Sequence, residues 1–253
     1  MNGVLLVTGG SRGIGAAVAM LAAKHGFDVA VNYHEDERAA SAIVEAVRAS
    51  GVRALAIKAD VALEADVVRM FEAVDTFGQL KALVNNAGVT GGFARVADLK
   101  AAALERMLAV NVTGAILCAR EAVRRLSTVW GGDGGSIVNV SSLAAKLGGA
   151  GEWVHYAASK GAIQSFTVGL AREVAGEGVR VNAVAPGWME GDWMVRMLKD
   201  KYDDLMARRA KNTPLRRVAT AEDVAEVMVN LIVSNRFVNG EVIVIDGGYA
   251  ATT

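Results

Sequence analysis

The stretch VLLVTGGSRGIG, residues 4–15, joins an apolar run to a glycine-rich turn that opens a helix-length segment. Four consecutive apolar residues predict a strand buried on both faces, and glycines allow a tight turn with close backbone approach. The helix N-terminus that follows presents free N–H groups and a positive dipole end, which suits a pyrophosphate. The spacing is GxxxGxG rather than GxGxxG, so the turn indicates a particular kind of nucleotide cradle. A glycine-rich turn with no ligand is the plainer alternative.

The same alternation of short apolar runs and helix-length segments continues along the chain. Predicted strands cover Val4–Val7, Val29–Tyr33, Ala54–Ala59, Ala82–Asn85, Ser136–Val140, Val179–Val184 and Val242–Ile245. Predicted helices cover Gly13–Lys24, Asp36–Ser50, Glu64–Phe77, Leu99–Leu126, Trp153–Ala175 and Ala221–Val233. The strand runs are rich in Val and Ile and lack strict alternation, as expected for a parallel sheet. We therefore predict one α/β domain over residues 1–253, a doubly wound parallel sheet with helices on both faces.

Composition narrows the class of protein. The 253 residues are 53% hydrophobic, and Lys plus Arg equals Asp plus Glu at 27 each. The balance gives no electrostatic reason to expect nucleic acid or an anionic membrane as a partner. With one cysteine, Cys118, the chain cannot form an intramolecular disulfide, and we predict a cytoplasmic protein in which this thiol is buried and inert. No Cys/His spacing indicates a metal site. The apolar run Val4–Val7 is too short for a signal peptide, and we expect no stretch to approach the roughly 20 apolar residues of a spanning helix.

Residues 186–214 interrupt the alternation, because they are polar, poorly periodic and too long for a plain connection. Long loops in compact domains are often lids, so we predict a lid over the substrate, with an oligomer contact as the alternative. Aromatic and methionine side chains near this segment either line a substrate pocket or pack the lid: Trp153, Trp188, Trp193, Met189 and Met194. A basic run is predicted to be a solvated face, with steering of an acidic substrate or carrier protein as the alternative: Arg208, Arg209, Lys211, Arg216 and Arg217.

Tyr156 and Lys160 lie at the start of a predicted helix with i, i+4 spacing, which places both on one helical face. A free tyrosine titrates near 10, and a nearby cation favours the phenolate, which brings the pKa of the tyrosine towards the working range of a general acid or base. Ser142, just after a strand, could hydrogen-bond a substrate oxygen. The Y-x-x-x-K spacing alone is a weak signal. His155 points about 100° away from Tyr156 on a helix, so we predict that it is exposed or at the pocket edge.

Several motifs occur in a fixed order along the chain. They are TGGSRGIG at 8–15, Asn85-Asn86-Ala87-Gly88, Asn111, Ser142, Tyr156, Lys160, Pro186-Gly187 and Asp246-Gly247-Gly248. This order resembles the short-chain dehydrogenase/reductase family, of the kind that includes the 3-oxoacyl-carrier-protein reductases. The resemblance runs from Val7 to Gly248 and is specific for the family, although not for a substrate.

The resemblance implies a Rossmann-like fold, a nicotinamide cofactor and a homotetramer. In such enzymes the tyrosine at position 156 exchanges a proton with the substrate oxygen. The lysine at 160 lowers the pKa of that tyrosine and bonds the nicotinamide ribose. The serine at 142 steadies the substrate oxygen, and the asparagine at 111 holds a water in the proton relay. The implied catalytic set is therefore Asn111, Ser142, Tyr156 and Lys160.

The resemblance also implies a set of cofactor contacts. Asn86, Ala87 and Gly88 correspond to the loop beside the adenosine ribose, and Asp60 and Val61 to the pair that contacts the adenine. The full cofactor-binding set is Gly9, Ser11, Arg12, Gly13, Ile14, Gly15, Asn32, Tyr33, Asp60, Val61, Asn86, Ala87, Gly88, Tyr156, Lys160, Pro186, Gly187 and Met189.

Two departures from the family pattern matter. In the family the tyrosine often lies about thirteen positions after the serine, whereas here Tyr156 lies fourteen positions after Ser142 and fifteen after Ser141. We favour Ser142, because strand alternation turns only one of the two towards the cleft. The family's Thr after Pro-Gly is absent here, and backbone groups near Met189 are the candidate replacement.

The end of the second strand bears on the choice of nicotinamide. NAD-selective sites place an Asp or Glu there to bond the ribose 2′-OH. Here Asn32, Tyr33 and His34 end the strand, and carboxylates come only at Glu35 and Asp36. Arg12 is placed to meet a 2′-phosphate. We therefore predict NADP(H), with NAD(H) as the alternative.

Together these observations predict an NADP(H)-dependent oxidoreductase that interconverts a small ketone or aldehyde and its alcohol. An NAD-dependent alcohol or sugar dehydrogenase is the alternative within enzymes. Outside enzymes, the alternatives are a non-catalytic Rossmann nucleotide sensor and a structural subunit. The intact set from Asn111 to Lys160 argues against the sensor, and the complete phosphate loop argues against the structural subunit.

Overall fold

The computed structural model describes residues 3–151, 153–191, 194–195 and 198–251, and its strands form one parallel sheet. The strands are β1 (Val4–Val7), β2 (Asp28–Tyr33), β3 (Ala54–Lys58), β4 (Leu80–Asn85), β5 (Gly135–Val140), β6 (Val179–Pro186) and β7 (Val242–Ile245). Their order is β3-β2-β1-β4-β5-β6-β7, with parallel pairing throughout. The order reverses between β1 and β4, and ligands of open α/β sheets bind in the crevice outside such a reversal.

Helices cover both faces of the sheet, as predicted. They are α1 (Gly13–Lys24), α2 (Glu37–Arg48), α3 (Glu64–Phe77), α4 (Ala101–Leu108), α5 (Ala115–Leu126), α6 (Ala144–Leu147), α7 (Val154–Val174), α8 (Tyr202–Asn212) and α9 (Ala221–Val233). One apolar cluster joins β1 and β2 to α1, α2 and α9, and a second joins the opposite face of the sheet to α3, α5 and α7. The doubly wound Rossmann-like fold is therefore confirmed.

The long helix predicted over Leu99–Leu126 is divided into three parts. Between α4 and α5 lies a π-helical segment, Ala109–Gly114. By length and composition alone the helical run Ala101–Leu126 could cross a membrane, with a mean hydropathy of 1.4 in its most apolar window. The prediction that no stretch approaches the length and apolar composition of a spanning helix was therefore wrong. Four buried residues of α5 pack into the second apolar cluster of the domain, which gives that side of the helix a partner within the fold: Cys118, Ala119, Ala122 and Leu126.

The segment at 186–214 is more regular than the sequence indicated. Its second half forms α8, and Met189 pairs with Ala219 in an isolated parallel bridge. In α8 the only buried residue is Met206, so the helix shows no broad apolar stripe that sequence periodicity could detect. Trp193, named above as a possible pocket residue, lies outside the described residues.

Candidate active site

A cleft of about 1170 Å³ runs along the carboxyl ends of the strands and includes the reversal between β1 and β4. It brings together most of the residues that the sequence singled out. Those lining it are Gly9, Ser11, Arg12, Gly13, Ile14, Asn32, Asp60, Val61, Asn86, Ala87, Gly88, Ser142, Tyr156, Lys160, Pro186, Gly187 and Met189. The predicted residues Gly15, Tyr33 and Asn111 do not line it.

Gly15 and Tyr33 stand behind the cleft wall for different reasons. A Cβ atom at Gly15 would lie 2.5 Å from the Gly9 carbonyl oxygen and 2.6 Å from Asn86 Nδ2, so this glycine lets α1 approach the loop. Tyr33 is buried in the apolar cluster beside α1 and α2. The prediction that Tyr33 faces the cofactor therefore does not match its position, because the last residue of β2 turns into the core.

Two asparagines hold the glycine-rich loop in shape. Asn32 accepts from the Gly9 N–H at 3.1 Å and donates to the Ala59 carbonyl at 3.0 Å. Asn86 Nδ2 donates to the carbonyls of Thr8 and Gly9, both at 2.9 Å. The loop is thus tied to the ends of the neighbouring strands. The amide of Asn32 is used for this purpose, although the residue also borders the cleft.

Charged side chains surround the cleft where β2 ends. Arg12 Nη2 lies 3.3 Å from Asp36 Oδ2, with both side chains partly exposed. His34 lines the cleft, and its Nε2 lies 3.6 Å from Asp60 Oδ2. Burial alone would raise the pKa of Asp60, but hydrogen bonds and charge from Arg106 lower it below the ordinary value. This end of the cleft therefore carries cations and anions side by side.

Ser142, Tyr156 and Lys160 meet at the other end of the cleft. The Ser142 and Tyr156 side chains are hydrogen-bonded. Lys160 Nζ lies 5.8 Å from the Tyr156 ring centroid and donates to the Val140 carbonyl at 2.8 Å. Ser141, the alternative to Ser142, donates instead to the Lys160 carbonyl at 3.0 Å. The geometry therefore favours Ser142 as the hydroxyl available to a substrate.

Burial controls the titration of this pair. It raises the pKa of Tyr156 to about 12, although the hydrogen bond from Ser142 acts in the opposite direction. It lowers the pKa of Lys160 to about 8. The sequence predicted that Lys160 brings the pKa of Tyr156 towards neutral pH. The site does not show this, because burial has the larger effect on that pKa. A neutral phenol is the form that can donate a proton to a carbonyl oxygen.

Asn111 occupies the π-helical segment and is buried beneath the cleft. Its Oδ1 accepts from the Val89 N–H, and its Nδ2 donates to the Val89 carbonyl, both at 2.8 Å. Nδ2 also donates to Ser159 Oγ at 3.1 Å, and Ser159 donates to the Tyr156 carbonyl at 2.8 Å. Asn111 thus connects the loop after β4 with the first turns of α7. A water held by Asn111 stays a prediction.

Two other side chains discussed above lie away from the chemistry. His155 is buried and not exposed, because the start of α7 turns it towards Gly91, so its predicted position was wrong. Burial raises the pKa of the Cys118 thiol to about 12, as suits an inert thiol. Within the described ranges, no group of three His, Cys, Asp or Glu side chains is placed to hold a metal ion.

The comparisons with known proteins agree with this geometry. A family model described as "Enoyl-(Acyl carrier protein) reductase" matches residues 9–250. The chain is 44% identical over 247 residues to "Uncharacterized oxidoreductase YgfF" of Escherichia coli K12, which covers 97% of this chain and 99% of that protein. It is 34% identical over 250 residues to the 3-oxoacyl-[acyl-carrier-protein] reductase FabG of Staphylococcus epidermidis, with coverage of 98% and 99%.

Solved structures give the same result. A short chain dehydrogenase from Burkholderia cenocepacia J2315 in complex with NADP superimposes with a TM-score of 0.87 at 35% identity, over 97% of each chain. The chain is therefore an oxidoreductase of the short-chain dehydrogenase/reductase family, whose members act on alcohol and carbonyl groups.

Proposed function

We propose that this chain is an NADP(H)-dependent oxidoreductase that interconverts a ketone or aldehyde and its alcohol, with Tyr156 as the acid and base. One observation carries the proposal: Ser142, Tyr156 and Lys160 meet at one end of a cleft whose other end is the glycine-rich loop. The cleft thus joins a place for a dinucleotide to a place for proton transfer.

The residues present fit a nicotinamide dinucleotide. The turn Gly9–Ile14 and the N-terminus of α1 border the cleft, where the pyrophosphate would be held by backbone N–H groups. Asp60 and Val61 would border the adenine, and Lys160 the nicotinamide ribose. The reduced nicotinamide supplies a hydride when bound.

The side chains at the reacting end have distinct tasks in carbonyl reduction. The substrate oxygen would accept hydrogen bonds from Ser142 and Tyr156. Both donors would then lie beside the atom on which negative charge develops. Tyr156 then gives its proton to that oxygen and becomes a phenolate. The ammonium of Lys160, held by the Val140 carbonyl, favours that phenolate. Alcohol oxidation uses the same groups in reverse.

Support for NADP(H) over NAD(H) comes from Arg12. Its guanidinium borders the cleft, and among the described residues its ion-pair partner is an exposed carboxylate, Asp36, at 3.3 Å. A 2′-phosphate could take the place of Asp36 as the partner of Arg12. The neighbour solved with NADP adds to this support. Glu35 and Asp36, which also line the cleft, are the features that favour NAD(H).

A fluorescence titration with NADPH and NADH tests the choice of cofactor. Arg12→Ala should weaken NADPH about tenfold and leave NADH nearly unchanged, because one charge-assisted contact is removed. Asp36→Asn is the matched variant and should strengthen NADPH, since the competing anion is gone. Equal loss of both nucleotides in Arg12→Ala would contradict the proposed contact.

Turnover separates the enzyme from a nucleotide sensor. Tyr156→Phe should reduce the rate at least a hundredfold and keep NADPH affinity, because only the proton donor is removed. Tyr202→Phe is the control, since Tyr202 also lines the cleft but belongs to α8. Tight nucleotide binding without oxidation of NADPH by any carbonyl tried would favour the sensor.

We further propose a cytoplasmic homotetramer. Support comes from apolar side chains exposed on the long helix, on α7 and on β7, namely Leu108, Ile116, Val168 and Val244. Light scattering on purified protein tests the assembly, and a monomer at micromolar concentration would contradict it.

A further inference from the structure

The part of the cleft beyond Ser142 and Tyr156 is apolar. We call it the substrate chamber and define it by six of its lining residues, Leu143, Leu147, Trp153, Trp188, Met194 and Val195. None of these six residues is charged, and Glu190, which also lines the cleft, is exposed. These six residues therefore offer no cation to an acidic substrate, and a buried charge without a partner is costly.

Aromatic rings form one wall of the chamber beside the reacting hydroxyl. The Trp153 ring centroid lies 5.8 Å from that of Tyr156, with the planes tilted by 54°. Phe93 stacks on Trp153 at 4.9 Å with an interplanar angle of 4°. Trp188 lies near parallel to Trp153, at 6.2 Å and 21°. The indole of Trp153 thus lies beside the ring of Tyr156, and Trp188 extends the aromatic wall from Trp153.

The backbone fixes Trp153 in this position. It is the last residue before α7, and its N–H donates to the Gly149 carbonyl at 2.9 Å. Its carbonyl accepts from the Ala157 N–H at 2.8 Å. Gly149 has φ +61°, and a Cβ there would lie 2.5 Å from the Trp153 carbonyl oxygen. The loop therefore packs directly on Trp153, three residues before the catalytic tyrosine.

Arg209 fixes Trp188 from behind. Its guanidinium carbon lies 4.1 Å from the Trp188 ring centroid, and Nη1 donates to the Tyr249 hydroxyl at 2.7 Å. Arg209 was predicted to belong to a solvated basic face, and this position shows otherwise. A cation over an indole face restrains the ring. We therefore regard Arg209 as a positioning residue for the aromatic wall.

We propose that the substrate is a neutral ketone that carries an aromatic ring, or the corresponding alcohol, and that this ring packs against Trp153 and Trp188. The inference rests on the proposed function. Rigid flat walls favour a flat partner, and aromatic pairs are worth more than the area that they bury. In reduction the carbonyl carbon gains the hydride of the reduced nicotinamide and the oxygen gains the proton of Tyr156, so the nicotinamide is oxidised as the ketone is reduced.

The test compares two methyl ketones with NADPH as reductant. One is benzylacetone, and the other is its saturated counterpart, with cyclohexyl in place of phenyl. The ring is remote from the carbonyl in both, so their intrinsic reactivity matches, and simple hydrophobicity favours the cyclohexyl compound. We expect kcat/KM to favour benzylacetone about fivefold. A carboxylate on the phenyl ring should abolish most of this activity, because the chamber has no cation to receive it.

Variants assign the preference to the wall. Trp153→Leu should remove the preference for benzylacetone, and Trp153→Phe, which keeps an aromatic face, should retain most of it. Trp130→Leu is the matched control, because Trp130 is an exposed tryptophan beyond the cleft and should leave the ratio unchanged. Arg209→Gln should raise KM for benzylacetone more than for the cyclohexyl ketone with little change in kcat, and Arg209→Lys should restore part of the loss.

The outcomes distinguish this inference from the proposed function. Equal turnover of both ketones, or the same ratio in Trp153→Leu as in the wild type, overturns the aromatic substrate and leaves the oxidoreductase intact. Preference for the carboxylated ketone overturns the neutral chamber. Nucleotide binding with no turnover of any ketone or alcohol overturns the proposed function, and the inference falls with it.

Discussion

Replacement of Gly15 by alanine should damage the nucleotide cradle by moving its loop. A Cβ at this position would lie 2.5 Å from the Gly9 carbonyl oxygen and 2.6 Å from Asn86 Nδ2. Ordinary contact begins near 3.4 Å, so the helix and the loop must separate by about 0.9 Å. Both neighbours are held by the rest of the site, and neither is the free end of a flexible side chain.

The cost follows from the bonds that this separation breaks. Asn86 Nδ2 donates to the Thr8 and Gly9 carbonyls at 2.9 Å each, and movement of this amide away from the new Cβ by such a distance takes both bonds beyond hydrogen-bonding distance. At about 1 kcal/mol for each bond, the free energy that favours the ordered loop falls by about 2 kcal/mol. If binding requires the ordered loop, NADPH affinity falls roughly thirtyfold.

The assay is the NADPH titration, with thermal unfolding measured on the same samples. The matched control is Gly169→Ala on the exposed side of α7, where a Cβ would meet nothing within 4 Å. The same substitution there should stabilise the protein by about 1 kcal/mol, because alanine favours the helix, and should leave affinity unchanged. NADPH affinity in Gly15→Ala within threefold of the wild type would refute the reasoning.

Three further predictions concern stability. Burial would raise the pKa of Glu121, but hydrogen bonds from Arg125 and Arg120 and nearby charge lower it, so its contribution is present at neutral pH and lost as acid protonates it. Glu121→Gln should therefore cost about 2 kcal/mol in urea unfolding at pH 7 and progressively less as pH falls below the ordinary pKa of a glutamate, and a cost that does not change with pH would contradict this. Because burial lowers the pKa of Lys160 to about 8, its charge penalises the fold below that pH and the penalty disappears as pH rises towards 10. Lys160→Met should therefore stabilise the protein by about 1 kcal/mol at pH 7 and less at pH 10, while turnover is lost; a gain that does not change with pH would exclude this cause. Both ring nitrogens of His155 are buried without a hydrogen-bond partner among the described residues, so His155→Leu should raise the urea midpoint by the equivalent of about 1 kcal/mol, and a lower midpoint would show that the imidazole is satisfied.

Much of the fold could be predicted because buried parallel strands and capped helices leave local signals. Both ends of β1, β7, α1, α3 and α9 agree with the sequence-based bounds. The π-helical segment and α8 could not be predicted. A π turn leaves a helix as apolar as before, and α8 buries only one side chain. Neither therefore produces a distinct period of apolar residues in the sequence.

The candidate site could be predicted where short motifs carry the chemistry, as at Tyr156 and Lys160. It could not be predicted where tertiary contacts decide orientation. All of β2 is buried, so alternation does not tell that Tyr33 turns into the core while His34 borders the cleft. Arg209 reads as part of a charged run, and only its distant contacts with Trp188 and Tyr249 give it another role.

The π-helical segment that carries Asn111 has a consequence for how the chain tolerates change in length. A π-helical hydrogen bond spans one residue more than an α-helical one. The segment therefore rotates α4 and α5 out of phase with each other. Removal of one residue from Ala109–Gly114 would restore a regular helix and improve its backbone bonding. It would also swing α4 about its axis, away from the partners of Asn111 in the loop after β4. The irregularity is a spacer: the shorter chain would make the better helix and lose the alignment between the loop and α7.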